Sequence, residues 1–177
     1  MKPTELFQAV RDGRLSEVED EVREQLDLTL EDGSTLLEAA ALILGDPQLR
    51  YQSVQRLIEL GIDVPVASRG RSGVLNVLIG AKKQELDGLL TTTRILLDKG
   101  ADAGFVSQQD RTPSMELVNS KFDESELAPL YPDWFARDDL NLGHRNKAGV
   151  DAQTLAERRE RPEFLSAAQD WVAAHPG

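Results

Sequence analysis

Side chains suited to chemistry are sparse in this chain. There are two histidines, His144 and His175, and no cysteine. A catalytic imidazole needs a nucleophile to deprotonate or a carboxylate to orient it, and no spacing in the sequence points to either. Ser, His and Asp all occur, but without the glycine-flanked elbow that would expose a nucleophilic serine. No glycine-rich phosphate loop is present. The carboxylates Glu17, Glu19, Asp20 and Glu21 crowd together, yet lack the loop spacing of a calcium site and read as one solvated helix face. The expectation is therefore no catalytic residue, no metal and no cofactor. The chemistry left to the chain is recognition.

Composition narrows what is recognised. The net charge is −11 over 177 residues. That field repels nucleic-acid phosphates and favours a basic protein. Residues 1–32 are the most lopsided, with ten Asp and Glu against four Lys and Arg. Hydrophobic residues make up 40% of the chain, enough for a core, but only five Phe, two Trp and two Tyr contribute. The core must then be Leu, Ile, Val and Ala, as in packed helices. The N-terminus runs directly into an amphipathic stretch, with no leader-like segment. The longest apolar run, Leu36 to Leu44, is interrupted by Glu38 and is too short for a bilayer. A chain free of cysteine fits a reducing, cytoplasmic setting.

The elements that would position any binding residue recur at a fixed interval. Gly61-Ile62-Asp63, Gly100-Ala101-Asp102 and Asp139-Leu140-Asn141 stand 39 residues apart. Twelve residues after the start of each come Gly73, Thr112 and Asp151, each opening an apolar, helix-like stretch. Such a period marks stacked supersecondary units. Thr4 is read as the first N-cap, before Leu6, Phe7, Ala9 and Val10. The second helix is expected over Leu15 to Leu26, with Leu15, Val18, Val22 and Leu26 on one stripe. Thr35 caps the next helix, and Gly45-Asp46-Pro47 stops it. Thr112-Pro113 starts another, since a proline there loses no hydrogen bond. Pro129 and Pro132 are expected to interrupt Leu127 to Phe135. A last helix runs Glu163 to Ala174. The reading is all-α, one continuous domain of five units: 3–31, 32–70, 71–109, 110–147 and 148–177.

These residues resemble the ankyrin repeat. Gly33-Ser34-Thr35-Leu36-Leu37-Glu38-Ala39-Ala40 is similar to that family's opening. Leu96-Leu97-Asp98-Lys99-Gly100-Ala101-Asp102 is similar to its ending, Leu57-Ile58-Glu59-Leu60-Gly61-Ile62-Asp63 is a variant of it, and Thr112-Pro113-Ser114-Met115 is a partial match. The family's period is about 33 residues. The surplus here falls around Gly45 to Gln52, Ala81 to Gly88 and Ser120 to Ala128, and no unit carries the family's turn histidine. A tetratricopeptide or HEAT-type stack is the alternative. The Gly-x-Asp exits ahead of a capping residue favour the ankyrin-like one. The resemblance implies a solenoid of helix-turn-helix units joined by hairpin loops, whose tips and first helices face a partner.

In that register the tips would be Glu31, Asp32 and Ser34; Arg69 and Ser72; Gln108, Gln109 and Arg111; and Lys147. First-helix positions pointing the same way would be Arg11 and Asp12, Asn119 and Ser120, and Arg158 and Arg159. Tyr131, Trp134 and Phe135 form the one aromatic cluster. Phe135 reads as core, whereas Tyr131 and Trp134 are open between core and an anchor for a basic partner. The expected function is a non-catalytic protein-binding module that is monomeric when free. It would suit a small inhibitor or immunity-type protein that blocks a basic protein such as a toxin, with a scaffold bridging two partners as the alternative. Activity dependent on His144 would revive an enzymatic reading.

Overall fold

The computed structural model describes residues 1–177, and the chain is all-helical apart from one isolated bridge between Thr29 and Thr35. In order the helices are α1 (Pro3–Arg11), α2 (Glu19–Glu24), α3 (Leu36–Ala41), α4 (Pro47–Glu59), α5 (Val64–Ala67) and α6 (Val74–Gly80). They continue with α7 (Leu86–Asp98), α8 (Pro113–Val118), α9 (Glu124–Leu127), α10 (Tyr131–Phe135), α11 (Ala152–Arg158) and α12 (Pro162–Ala174). None is long and apolar enough to cross a membrane.

Capping follows local chemistry. The Thr35, Asp46, Thr112 and Asp151 side chains each accept a backbone N–H from the first turn of α3, α4, α8 and α11. These donors have no partner within their helices. At the far ends of α4 and α7, Gly61 and Gly100 adopt φ of 97° and 86°. Those left-handed values suit a residue without a Cβ.

The helices lie in two rows. In the inner row α1 packs on α3, α3 on α6, α6 on α8 and α8 on α11. In the outer row α4 packs on α7, α7 on α10 and α10 on α12. Within the pairs, α3 meets α4, α6 meets α7 and α11 meets α12. One hydrophobic cluster runs between the rows, built from residues such as Leu6, Leu37, Leu57, Leu78, Leu96, Leu117 and Phe164.

Between the pairs the chain projects in tight turns. Leu30 donates to the Ser34 carbonyl, Ser107 to that of Arg111 and Asn146 to that of Val150, the same five-residue turn three times. The fourth position of each turn, Gly33, Asp110 or Gly149, has positive φ. The segment between α4 and α6 departs from this pattern. It forms α5, a single turn capped by the Asp63 carboxylate with Pro65 in its first turn, where the sequence suggests only a loop.

Several boundaries differ from those read in the sequence. The first helix begins at Pro3, not after a Thr4 cap, and the Lys2 N–H donates to the Glu5 carboxylate at 3.1 Å. The stretch Leu15 to Leu26 is not one helix. It is a 3-10 turn at Leu15–Glu17 followed by α2. The break sets Glu19 in the first turn of α2, where it accepts from Arg56 Nε at 2.9 Å and Nη2 at 2.6 Å. Leu15, Val18 and Val22 still face inward. The helix expected to run up to Gly45 ends at Ala41. Pro129 and Pro132 do not stop the helical path either. Each sits in the first turn of a new helical piece, where a missing N–H costs no bond.

Candidate functional site

The residues proposed from sequence fall into three groups. The first is structural. Trp134 has no exposed surface and its indole N–H donates to Ser114 Oγ at 3.0 Å. Tyr131 is buried edge-on against Phe135 and Phe164. Neither is an exposed anchor. Leu127, Leu130, Tyr131 and Trp134 follow helical spacing and are all buried, while Phe135, the next residue on that stripe, is half-buried and packs against the hydrophobic cluster. Ser34 is also buried, with its N–H held by Asp32 Oδ1 at 3.0 Å.

The second group braces neighbouring turns. Arg71 donates to Asp32 at 3.0 Å and to Gln108 Oε1 at 2.9 Å, and Gln108 in turn donates to Ser72 Oγ at 3.2 Å. Arg69 pairs with Asp102 at 2.7 Å. Asp110 faces His144 Nε2 at 2.8 Å and accepts the Lys147 N–H at 2.5 Å. His144 is thus a turn brace. Glu31 and Arg158 are exposed, and Arg159 donates to Asn119 at 3.1 Å. The sequence does not single out Arg71, although it stands 39 residues after Asp32, one period on.

The third group lines a groove along the C-terminal ends of the inner helices. Its central hollow, about 510 Å³, is walled by Ala41 at the end of α3 and Leu42 just after it, Asn76 and Val77 of α6, Lys82 and Lys83 beyond α6, and Arg111 and Glu116 by α8. A hollow of about 390 Å³ continues past Leu42 and Leu44 to Arg11 and Asp12. Another of about 220 Å³ shares Gly80, Lys82, Arg111 and Glu116 and reaches Asn119, Ser120 and Lys121. Arg11, Asp12, Ser72, Gln109, Arg111 and Asn119 are thereby brought to one groove. Asn76, Lys82, Lys83 and Glu116 are members that sequence reasoning missed. The only available signal was the consecutive Lys82-Lys83 pair in a surplus connection.

The groove floor is held rigidly. Asn76 donates to the Arg111 carbonyl at 2.8 Å, while its own Oδ1 is buried without a partner. Glu116 is nearly buried. Burial pushes its carboxyl above the ordinary range, and Arg111, 3.3 Å away, opposes that shift. Arg50 is buried at the back of the groove and donates to the Ile43 and Lys83 carbonyls at 2.8 Å each. Elsewhere, Glu38 of α3 receives the Ser72 N–H, and burial raises its carboxyl pKa despite that bond. No three His, Asp or Glu side chains converge as metal ligands would.

No family model matches the sequence, and no curated protein does. Among solved structures, the fold is similar to that of a functionally unknown protein from Leptotrichia buccalis C-1013-b. The TM-score is 0.70 and the identity 24%, covering 81% of this chain and 79% of that one.

Proposed function

We propose that this chain is a non-catalytic protein-binding module, an ankyrin-like solenoid that seats a partner along its inner-helix groove. The observation that carries the reading is the groove itself. Three consecutive inner helices contribute walls to its central hollow, and side-chain bonds between successive turns flank it. A preformed surface of this kind docks a partner with little ordering cost. The ankyrin-like class is supported by the capped starts at Thr35, Thr112 and Asp151, by the left-handed exits at Gly61 and Gly100, and by the thrice-used turn.

Within that class we favour a small inhibitor or immunity-type protein acting on a basic protein in the cytoplasm. The net charge of −11 would speed capture of such a partner and make it salt-sensitive. Affinity capture from native lysate at low and high salt, read by mass spectrometry, tests it. One basic protein retained at low salt and weakened at high salt supports the inhibitor. Its activity with this chain added then decides whether binding blocks it. A scaffold is the second reading, favoured by the exposed acidic residues Glu17, Asp20 and Glu24 outside the groove lining. Two partners bound simultaneously would establish it and displace the inhibitor.

A further inference from the structure

The sign of charge in the groove is opposite to that of the chain. The central hollow carries Arg50, Lys82, Lys83 and Arg111 against the single carboxylate Glu116, and Lys121 lines its continuation. Arg111 is the only one of these cations with a carboxylate in ion-pair reach. Arg50 is buried and hydrogen-bonds through its side chain to backbone carbonyls, and Lys121 donates to the Gln84 carbonyl at 3.3 Å and lies over the Phe122 ring. Lys82 and Lys83 are exposed. In a protein with 31 acidic and 20 basic residues, this uncompensated concentration of cations is not a sampling of average surface.

We propose that the groove binds an acidic segment of a partner polypeptide, with Lys82, Lys83 and Arg111 receiving carboxylates and an apolar side chain packing between Val77 and Leu44. Leu44 is 70% exposed on the rim, the most exposed large hydrophobic residue of the chain. Charge and an apolar wall together suit a peptide of mixed acidic and hydrophobic character. A nucleotide fits less well. No aromatic residue lines either hollow to stack a base, and no glycine-rich loop offers backbone N–H groups to a phosphate. The proposal rests on the protein-binding reading and adds a polarity to it: the whole-chain field selects the partner at long range, and the groove reads a segment of opposite sign.

A twelve-residue random peptide display library selected on the intact protein tests this. Enriched peptides are then synthesised and measured by fluorescence anisotropy. The expected result is enrichment of Asp, Glu and apolar residues, with affinity falling about tenfold or more in the Lys82→Glu/Lys83→Glu double variant and on raising salt. Both lysines are exposed, so the variant folds, which its thermal melt verifies. Selection of basic or neutral peptides, no enrichment, or acidic peptides that bind the double variant equally well would overturn the proposal. So would adenine nucleotide or inorganic phosphate binding the groove as tightly as any peptide. A lysate partner captured equally by wild type and double variant would remove the groove and leave the protein-binding reading standing.

Discussion

The indole N–H of Trp134 ends on Ser114 Oγ at 3.0 Å, and neither residue has any exposed surface. This bond ties the outer helix α10 to the inner helix α8 within one hairpin. Ser114→Ala removes the acceptor and strands a buried donor, which costs about 1–3 kcal/mol. Trp134→Ala costs about 3–5 kcal/mol through the cavity it leaves. Urea unfolding measures both. A Ser114→Ala variant as stable as wild type would mean that the bond is not formed.

Arg137 performs a longer-range version of this task. Its guanidinium donates to the Leu97 and Ala101 carbonyls at 2.9 and 3.2 Å and to both oxygens of Asp139 at 2.9 and 2.8 Å. It closes the C-terminal end of α7, where carbonyls lack helical partners. A lysine has one ammonium and cannot span these acceptors. Arg137→Lys should lose about 1–2 kcal/mol in the same assay, and Arg137→Ala more.

Acid should favour one part of the structure. Burial raises the Glu38 carboxyl, and Glu38 Oε2 is buried without a partner. A folded-state pKa above the unfolded value means that the folded state holds this proton more tightly. The stabilisation is therefore complete below the ordinary glutamate pKa of 4.5 and is lost as pH rises through the folded pKa. Glu38→Gln keeps an oxygen for the Ser72 N–H and removes the charge. Its melting temperature at pH 7 should equal or exceed that of wild type, with the difference vanishing near pH 4. A variant less stable at pH 7 and unchanged at pH 4 would show that the charged form is the one required.

Glycine substitutions should separate close approach from open space. A Cβ on Gly104 would collide with the Asp139 backbone carbonyl, so Gly104→Ala must shift a main-chain segment and should cost at least about 1–3 kcal/mol. A Cβ on Gly143 meets nothing, and its φ is not left-handed, so Gly143→Ala should stay within about 0.5 kcal/mol or stabilise slightly. Thermal melts of the two proteins side by side provide the comparison.

The all-helical architecture was legible in the sequence because its signals are local. Thr35, Thr112 and Asp151 each act on a donor three residues away, and a glycine such as Gly100 answers a backbone angle at its own position. The break at Val18 was not legible, because it sets up an ion pair between Glu19 and Arg56, 37 residues on. Those hydrogen bonds, together with those from Arg23, hold the Glu19 carboxyl down at about 2. Trp134 carried a readable signal, its place on the stripe with Leu127, Leu130 and Tyr131, but nearby prolines and carboxylates masked it. The groove was half legible. Arg111 and Gln109 lie at turn positions, whereas Lys82 and Lys83 lie in a connection whose path no periodicity predicts.

Where the inter-residue bonds fall along the chain has a mechanical consequence. Side-chain hydrogen bonds that leave one hairpin for the next join residues 32 to 41 apart, as from Thr35 to Ala67 and from Arg161 to Ser120. None ties the first hairpin to the last. Tension applied between Met1 and Gly177 would load the interfaces in series, so an end hairpin can peel away while its neighbours hold. Each release of about 39 residues would lengthen the tether by roughly 130 Å. In an optical trap the molecule should yield as a succession of short rips, not as one break.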